Sequence, residues 1–123
     1  MDALAPEEPT RLFFFERYYA YLLLESDRAE ELWYTSEDHD TLYTLYRHGQ
    51  RHKSGYLELL SVFLSCERNA TQTAAALNMH RNNVTYHIGR IQEMTGLNLD
   101  DPSVRFRLLT AFYLLRLFGF RRE

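Results

Sequence analysis

Between Asn69 and Gly96 the chain is punctuated so closely that few backbone paths can satisfy it. Asn69-Ala-Thr-Gln72 is a capping-box pattern, with an amide cap followed three residues later by glutamine. There a side-chain oxygen takes up one of the N–H groups that a helix start leaves without a partner. A short helix follows through Ala74, Ala75, Ala76 and Leu77, and its small residues suit close approach of a second helix. Asn78-Met-His80 leaves only a short connection. A longer helix then runs from Arg81 to Thr95 and meets Gly96, a residue type that ends helices by entering the left-handed conformation without steric cost. Spacing successive residues by about 100° sorts this helix into two sides. Val84, Ile88, Ile91 and Thr95 share one; Asn82, Tyr86, Gly89, Arg90 and Glu93 share the other, flanked by Asn83 and, at the far edge, Thr85. Two short helices so joined form a helix-turn-helix pattern.

The remaining segments also read as helices. Residues 1–9 are a frayed lead-in with Pro6 and Pro9, after which Thr10 can cap a helix over Arg11–Glu25 that is apolar on nearly every face. A short helix is expected at Asp27–Trp33. The polar stretch Ser36–Asp40 reads as a break before a helix at about Thr41–His52, and Ser54 as the cap of another over Gly55–Cys66. That one carries Tyr56, Leu59, Leu60, Phe63 and Leu64 at spacings of three and four. Asp101-Pro102 supplies a cap and a first-turn proline for a last helix, Pro102–Phe118, closed by Gly119. The expected fold is all-α, a compact helical bundle containing a helix-turn-helix unit. Residues 1–53 would form an N-terminal helical segment packing on or linking to a helix-turn-helix domain at 54–123.

A chain of 123 residues is long enough for one core. Its net charge of −3 argues against a nucleic-acid partner until the chain is divided. Residues 1–40 hold eleven acids against three arginines, a net −8, whereas residues 41–123 hold eleven Lys or Arg against six acids, a net +5. No acid lies between Arg68 and Gln92, and Arg68, His80, Arg81, His87 and Arg90 fall there. Local field is what a phosphate backbone senses within a Debye length, so a basic face is available on an acidic protein. The single cysteine, Cys66, can form no internal disulfide, and it reads as buried at a helix end. With no secretory signal and no apolar run long enough to span a bilayer, the expected location is cytoplasmic, away from membranes.

Catalytic and cofactor readings are weak. His48 and His52, four apart, could share a metal on one helical face, but no third ligand is recognisable and Arg47, Arg51 and Lys53 surround them. Asp100-Asp101 is more simply a helix cap than a carboxylate pair, and Cys66 has no histidine or asparagine arranged to activate it. No enzyme, metal or cofactor is expected. Major-groove recognition fits better, because asparagine offers adenine a paired donor and acceptor and arginine can bind guanine through two parallel hydrogen bonds. A helical protein-interaction module that keeps the helix-turn-helix as scaffold is the alternative.

The letters narrow this further. His80-Arg-Asn-Asn-Val-Thr-Tyr-His-Ile-Gly-Arg-Ile91, then Met94-Thr-Gly-Leu-Asn-Leu-Asp-Asp-Pro102, closely resembles the C-terminal helix-turn-helix of the PucR/CdaR family of bacterial transcription regulators. That family typically reads H-R-N-T-V-x-Y-R-L-x-R-I and then L-T-G-L-D-L. The resemblance covers about Ser54–Phe118, and a weaker likeness to the Fis-type helix-turn-helix points to the same positions. It implies a regulator that binds double-stranded DNA, expected as a homodimer, with effector-sensing domains lying N-terminal to this end and absent from this chain. Carried over by position, Arg81, Asn83, Thr85 and Tyr86 would face bases, Asn82 and Arg90 the groove edge, and Thr71 or Gln72 a phosphate at a helix start. Asn83 stands for the family's Thr, Thr85 and Gly89 stand where Arg is frequent, and His87 stands for Arg. Those departures point to weaker phosphate attraction or to a partner other than DNA.

Overall fold

The computed structural model describes residues 28–122. Six α-helices follow one another, and no strand occurs among the described residues: α1 (Ala29–Tyr34), α2 (Glu37–His52), α3 (Tyr56–Ser65), α4 (Ala70–Leu77), α5 (Arg81–Thr95) and α6 (Pro102–Phe118). The all-α expectation holds. The helix expected at Arg11–Glu25 lies outside the described residues.

The described chain divides into two compact units, residues 40–98 and residues 28–39 with 99–122. In the first, α3, α4 and α5 pack on one another. Tyr56, Leu59, Leu60, Phe63 and Leu64 are all buried, as their spacing predicts, and so are Val84, Ile88 and Ile91 of α5 and Leu42 and Leu45 of α2. Each such side chain stabilises the fold by about 1.5–3 kcal/mol when fully buried. The small-residue contact is narrower than expected. Ala74 is buried beside Thr73, while Ala75 and Ala76 are exposed, so one alanine and a threonine form the close seam. Thr73 is tolerated there because its hydroxyl donates to the Asn69 carbonyl at 2.8 Å.

The local punctuation acts where it was expected in α4 and α5. The Asn69 side chain accepts from the Gln72 N–H at 2.9 Å. The Asn69 N–H binds the Cys66 carbonyl at 3.0 Å, so the capping box is half formed through side chains and half through backbone. Asn78 and Gly96 end the two helices in the left-handed conformation, at φ 55° and 72°.

Two helix starts and the burial of one cysteine differ from expectation. Helix α2 begins at Glu37, not Thr41, because the Ser36 hydroxyl accepts from the His39 N–H at 3.1 Å and turns the polar stretch into a helix start. Helix α3 is preceded by Gly55 in the left-handed conformation with no side-chain cap. Ser54 is occupied elsewhere, its hydroxyl 2.7 Å from Nδ1 of His48. Cys66, expected to be buried, is half-exposed at the end of α3.

In the second unit α1 packs on α6. The α6 start is as expected, with the Asp101 carboxylate accepting from the Ser103 N–H at 2.9 Å and Pro102 in the first turn. Its end is tied by distant residues. Trp33 Nε1–H donates to the Gly119 carbonyl at 2.8 Å and Tyr34 Oη–H to the Phe118 carbonyl at 2.9 Å. His39, fully enclosed, accepts the Arg121 N–H at Nε2 at 2.9 Å and stands edge-on to Trp33, Tyr34 and Phe120. Arg107 grips the Asp38 carboxylate with Nε and Nη2 at 3.1–3.3 Å. No helix among the described residues is long and apolar enough to cross a membrane.

Candidate nucleic-acid interface

The fifth helix owes its orientation to its apolar stripe. With Val84 and Ile91 wholly enclosed and Ile88 nearly so, the opposite face must point away from the core. Arg81, Asn82, Asn83, Thr85, Tyr86 and Arg90 are all exposed. Tyr86 is 63% exposed, so its ring is not packed against the α4 helix. Its nearest aromatic neighbour is His87, edge-on at 5.1 Å. The Thr85 hydroxyl donates to the Arg81 carbonyl at 3.3 Å. Arg90 reaches the Glu93 carboxylate at 3.5 Å, an ion pair between exposed side chains that holds little energy in water.

Gly89 lies in this face, and a Cβ built there meets nothing within 4 Å. The missing side chain opens a shallow depression of about 540 Å³ lined by Thr85, Tyr86, Gly89, Arg90, Gln92 and Glu93. Thr71 and Gln72 are exposed in the first turn of α4. The structure thus brings six of the eight sequence-derived candidates onto one helix face and sets the other two at the start of the preceding helix.

Several side chains beside this face make contacts that the helical pattern does not reveal. His80 is the N-cap of α5, its Nδ1 accepting from the Asn82 N–H at 3.1 Å. Histidine is not among the common capping residues, so no composition rule points to it. His87, on the flank of α5, meets the buried Tyr56 through Nδ1 and Oη at 2.9 Å. Tyr56 is stacked on His48, with ring centroids 4.7 Å apart and planes 11° from parallel, and His48 lies 4.5 Å from His52. The His48 pKa is lowered by its partial burial, and further by the positive charges of His52 and Arg90. Among the described residues no group of three potential ligands is placed to hold a metal ion.

Comparison with known proteins agrees with this geometry. Residues 56–114 match the family model of the PucR C-terminal helix-turn-helix domain. The purine catabolism regulatory protein of Bacillus subtilis is 35% identical over 68 residues, 55% of this chain and 13% of that protein. The transcriptional activator PmfR of Paenarthrobacter nicotinovorans is 39% identical over 57 residues, 46% of this chain and 11% of that protein. An uncharacterised protein, YxkF of Bacillus subtilis, is 28% identical over 102 residues, 83% of this chain and 31% of that protein. The chain thus spans less than a third of the length of each of these relatives. No solved structure gives a significant match.

Proposed function

We propose, on the match of residues 56–114 to the PucR C-terminal helix-turn-helix model, that this chain is the DNA-binding end of a transcription regulator whose α5 helix enters the major groove of double-stranded DNA. The observation that carries the reading is the outer face of α5, where Arg81, Asn82, Asn83, Thr85 and Tyr86 stand exposed on a helix locked from behind by Val84, Ile88 and Ile91. Arg81, Asn83, Thr85 and Tyr86 read base edges. Asn82 and Arg90 meet the groove edge, and Thr71 and Gln72 present the start of α4 to a phosphate. Residues 54–123 carry this activity, and residues 1–53 lead into it.

The active form is a homodimer. Leu109, Tyr113 and Leu117 recur every four residues on α6 and are 45–54% exposed, an apolar stripe suited to a second copy. A two-fold pair would place two α5 helices about 34 Å apart on an imperfect palindrome. Salt titration of duplex binding tests the class of function: the log–log slope should lie at roughly −3 to −5, shallow because few arginines face the backbone. Undetectable binding at about 50 mM salt, where phosphate contacts are strong, would favour a protein-interaction module instead. Sedimentation of the Leu109→Lys, Leu117→Lys double variant tests the pairing. Its association should weaken, and an unchanged dimer would place the interface elsewhere.

A further inference from the structure

One flank of α5 carries a group of side chains that the base-reading face does not use. His87 and Arg90 project from α5, and against them stand His48 and His52 from the last turns of α2, with Tyr56 of α3 between. We propose that His48, His52, His87 and Arg90 form a second anion site that grips a phosphodiester of the DNA backbone beside the recognition helix and takes up a proton in doing so. This rests on the DNA-binding reading and adds a sequence-independent anchor to it.

The hydrogen bonds orient the rings for such a ligand. His48 spends Nδ1 on the Ser54 hydroxyl at 2.7 Å, and His87 spends Nδ1 on the Tyr56 hydroxyl at 2.9 Å. In each ring the opposite nitrogen, Nε2, is left to donate outward. Tyr56 is 5% exposed and touches both rings, so it holds the two imidazoles in fixed relation instead of competing for the anion. His52 and Arg90 are exposed and complete the rim.

Every charged group facing His48 bears on whether it holds a proton. From α2 comes His52, from the following link the Ser54 hydroxyl, from α3 Tyr56, and from α5 Arg90, with His87 beyond the Tyr56 ring. The carboxylate of Glu93 is drawn to Arg90, 3.5 Å away, in a solvent-exposed pair that a phosphate can displace. In the free protein the neighbouring cations and partial burial oppose the His48 imidazolium. A phosphodiester cancels the repulsion among the cations, so protonation becomes favourable in the complex. By linkage, binding that takes up protons must tighten as pH falls.

The test is fluorescence anisotropy of a short labelled duplex of arbitrary sequence, at fixed salt, across pH 6 to 8, a range in which histidine changes charge. Affinity should rise about three- to tenfold from the alkaline to the acid end, equivalent to an average uptake of about a quarter to a half of a proton over that range. His52→Gln, at an exposed site that leaves the fold intact, should flatten most of that rise and make the salt slope at pH 6 shallower by about one unit. His48→Gln should do the same, with its thermal melt confirming the fold. Duplex binding with a normal salt slope but no pH dependence would overturn the anion site and leave the DNA-binding reading standing. A pH dependence kept in full by a variant carrying both His48→Gln and His52→Gln would overturn it too. No duplex binding at any pH would overturn both.

Discussion

Replacing Gly89 with alanine tests where the recognition face lies. Glycine in a helix interior costs about 1 kcal/mol relative to alanine, because the unfolded chain gives up more freedom there. Gly89 sits within the fifteen-residue α5 at a position where an added Cβ meets nothing within 4 Å, so no packing penalty offsets the gain. Gly89→Ala should therefore stabilise the protein by about 1 kcal/mol and raise the melting temperature by about 4 °C. Far-ultraviolet circular dichroism during heating and in urea would measure both. Gly89→Arg should gain slightly less in stability. If the depression around Gly89 is open in the complex, it should also steepen the salt slope of duplex binding by about one unit. If DNA fills that depression, the same variant will melt higher yet lose specific binding. A variant less stable than the parent would refute the reasoning outright, since it would mean that Gly89 faces packed atoms and that the exposed side of α5 has been misplaced.

Asn69→Ala removes the side-chain acceptor at the start of α4 and should cost about 1 kcal/mol, read from the urea midpoint. An unchanged midpoint would show that the backbone contacts suffice. His48 has its pKa lowered, first by burial and then by His52 and Arg90, so the folded state binds fewer protons than the unfolded one below the ordinary value of 6.5. Its contribution to stability is therefore full above that value and is lost as pH falls through the folded pKa. His48→Gln should lose less stability than the parent between pH 7 and 5, and a parallel loss would assign the effect to another group. His80→Asp should preserve or raise the melting temperature, because aspartate is a strong cap, while weakening duplex binding several-fold. Unchanged affinity would place the start of α5 away from phosphate.

Legibility in the sequence divides along the range of the interactions. The ends of α4 and α5 are set by contacts within five residues, such as Asn69 with Gln72 and Gly96 with Gln92, and a short window of sequence contains every partner. The exposed face of α5 follows from the period of its apolar residues in the same way. The misplaced boundaries arise where one residue had two possible partners: Ser54 could cap α3 or bind His48, and nothing local decides between them. Least legible was the tie between α1 and the end of α6. Trp33 with Gly119 and His39 with Arg121 lie 86 and 82 residues apart, so each reads as an isolated aromatic or imidazole until the chain is folded.

The choice of caps bears on how the proposed DNA-binding surface would work with so few arginines. Helix starts favour an acceptor, and a carboxylate gains a further 0.3–1 kcal/mol or so from the positive end of the helix dipole. Helix α6 takes that option with Asp101, whereas α4 and α5 are capped by Asn69 and His80, which accept the same kind of hydrogen bond without a formal negative charge. Giving up the carboxylate leaves roughly half a positive charge uncompensated at each of those two helix starts. Those are the places where phosphates are expected. The first acid of α5 is Glu93, in its second half, and it is paired with Arg90. On the proposed function, the acid-free stretch from Arg68 to Gln92 would act less by the cations it contains than by keeping two helix dipoles uncancelled. Thr85, His87 and Gly89, where an arginine could have stood, would then be tolerated, because part of the proposed attraction would come from backbone N–H groups that no count of basic residues includes.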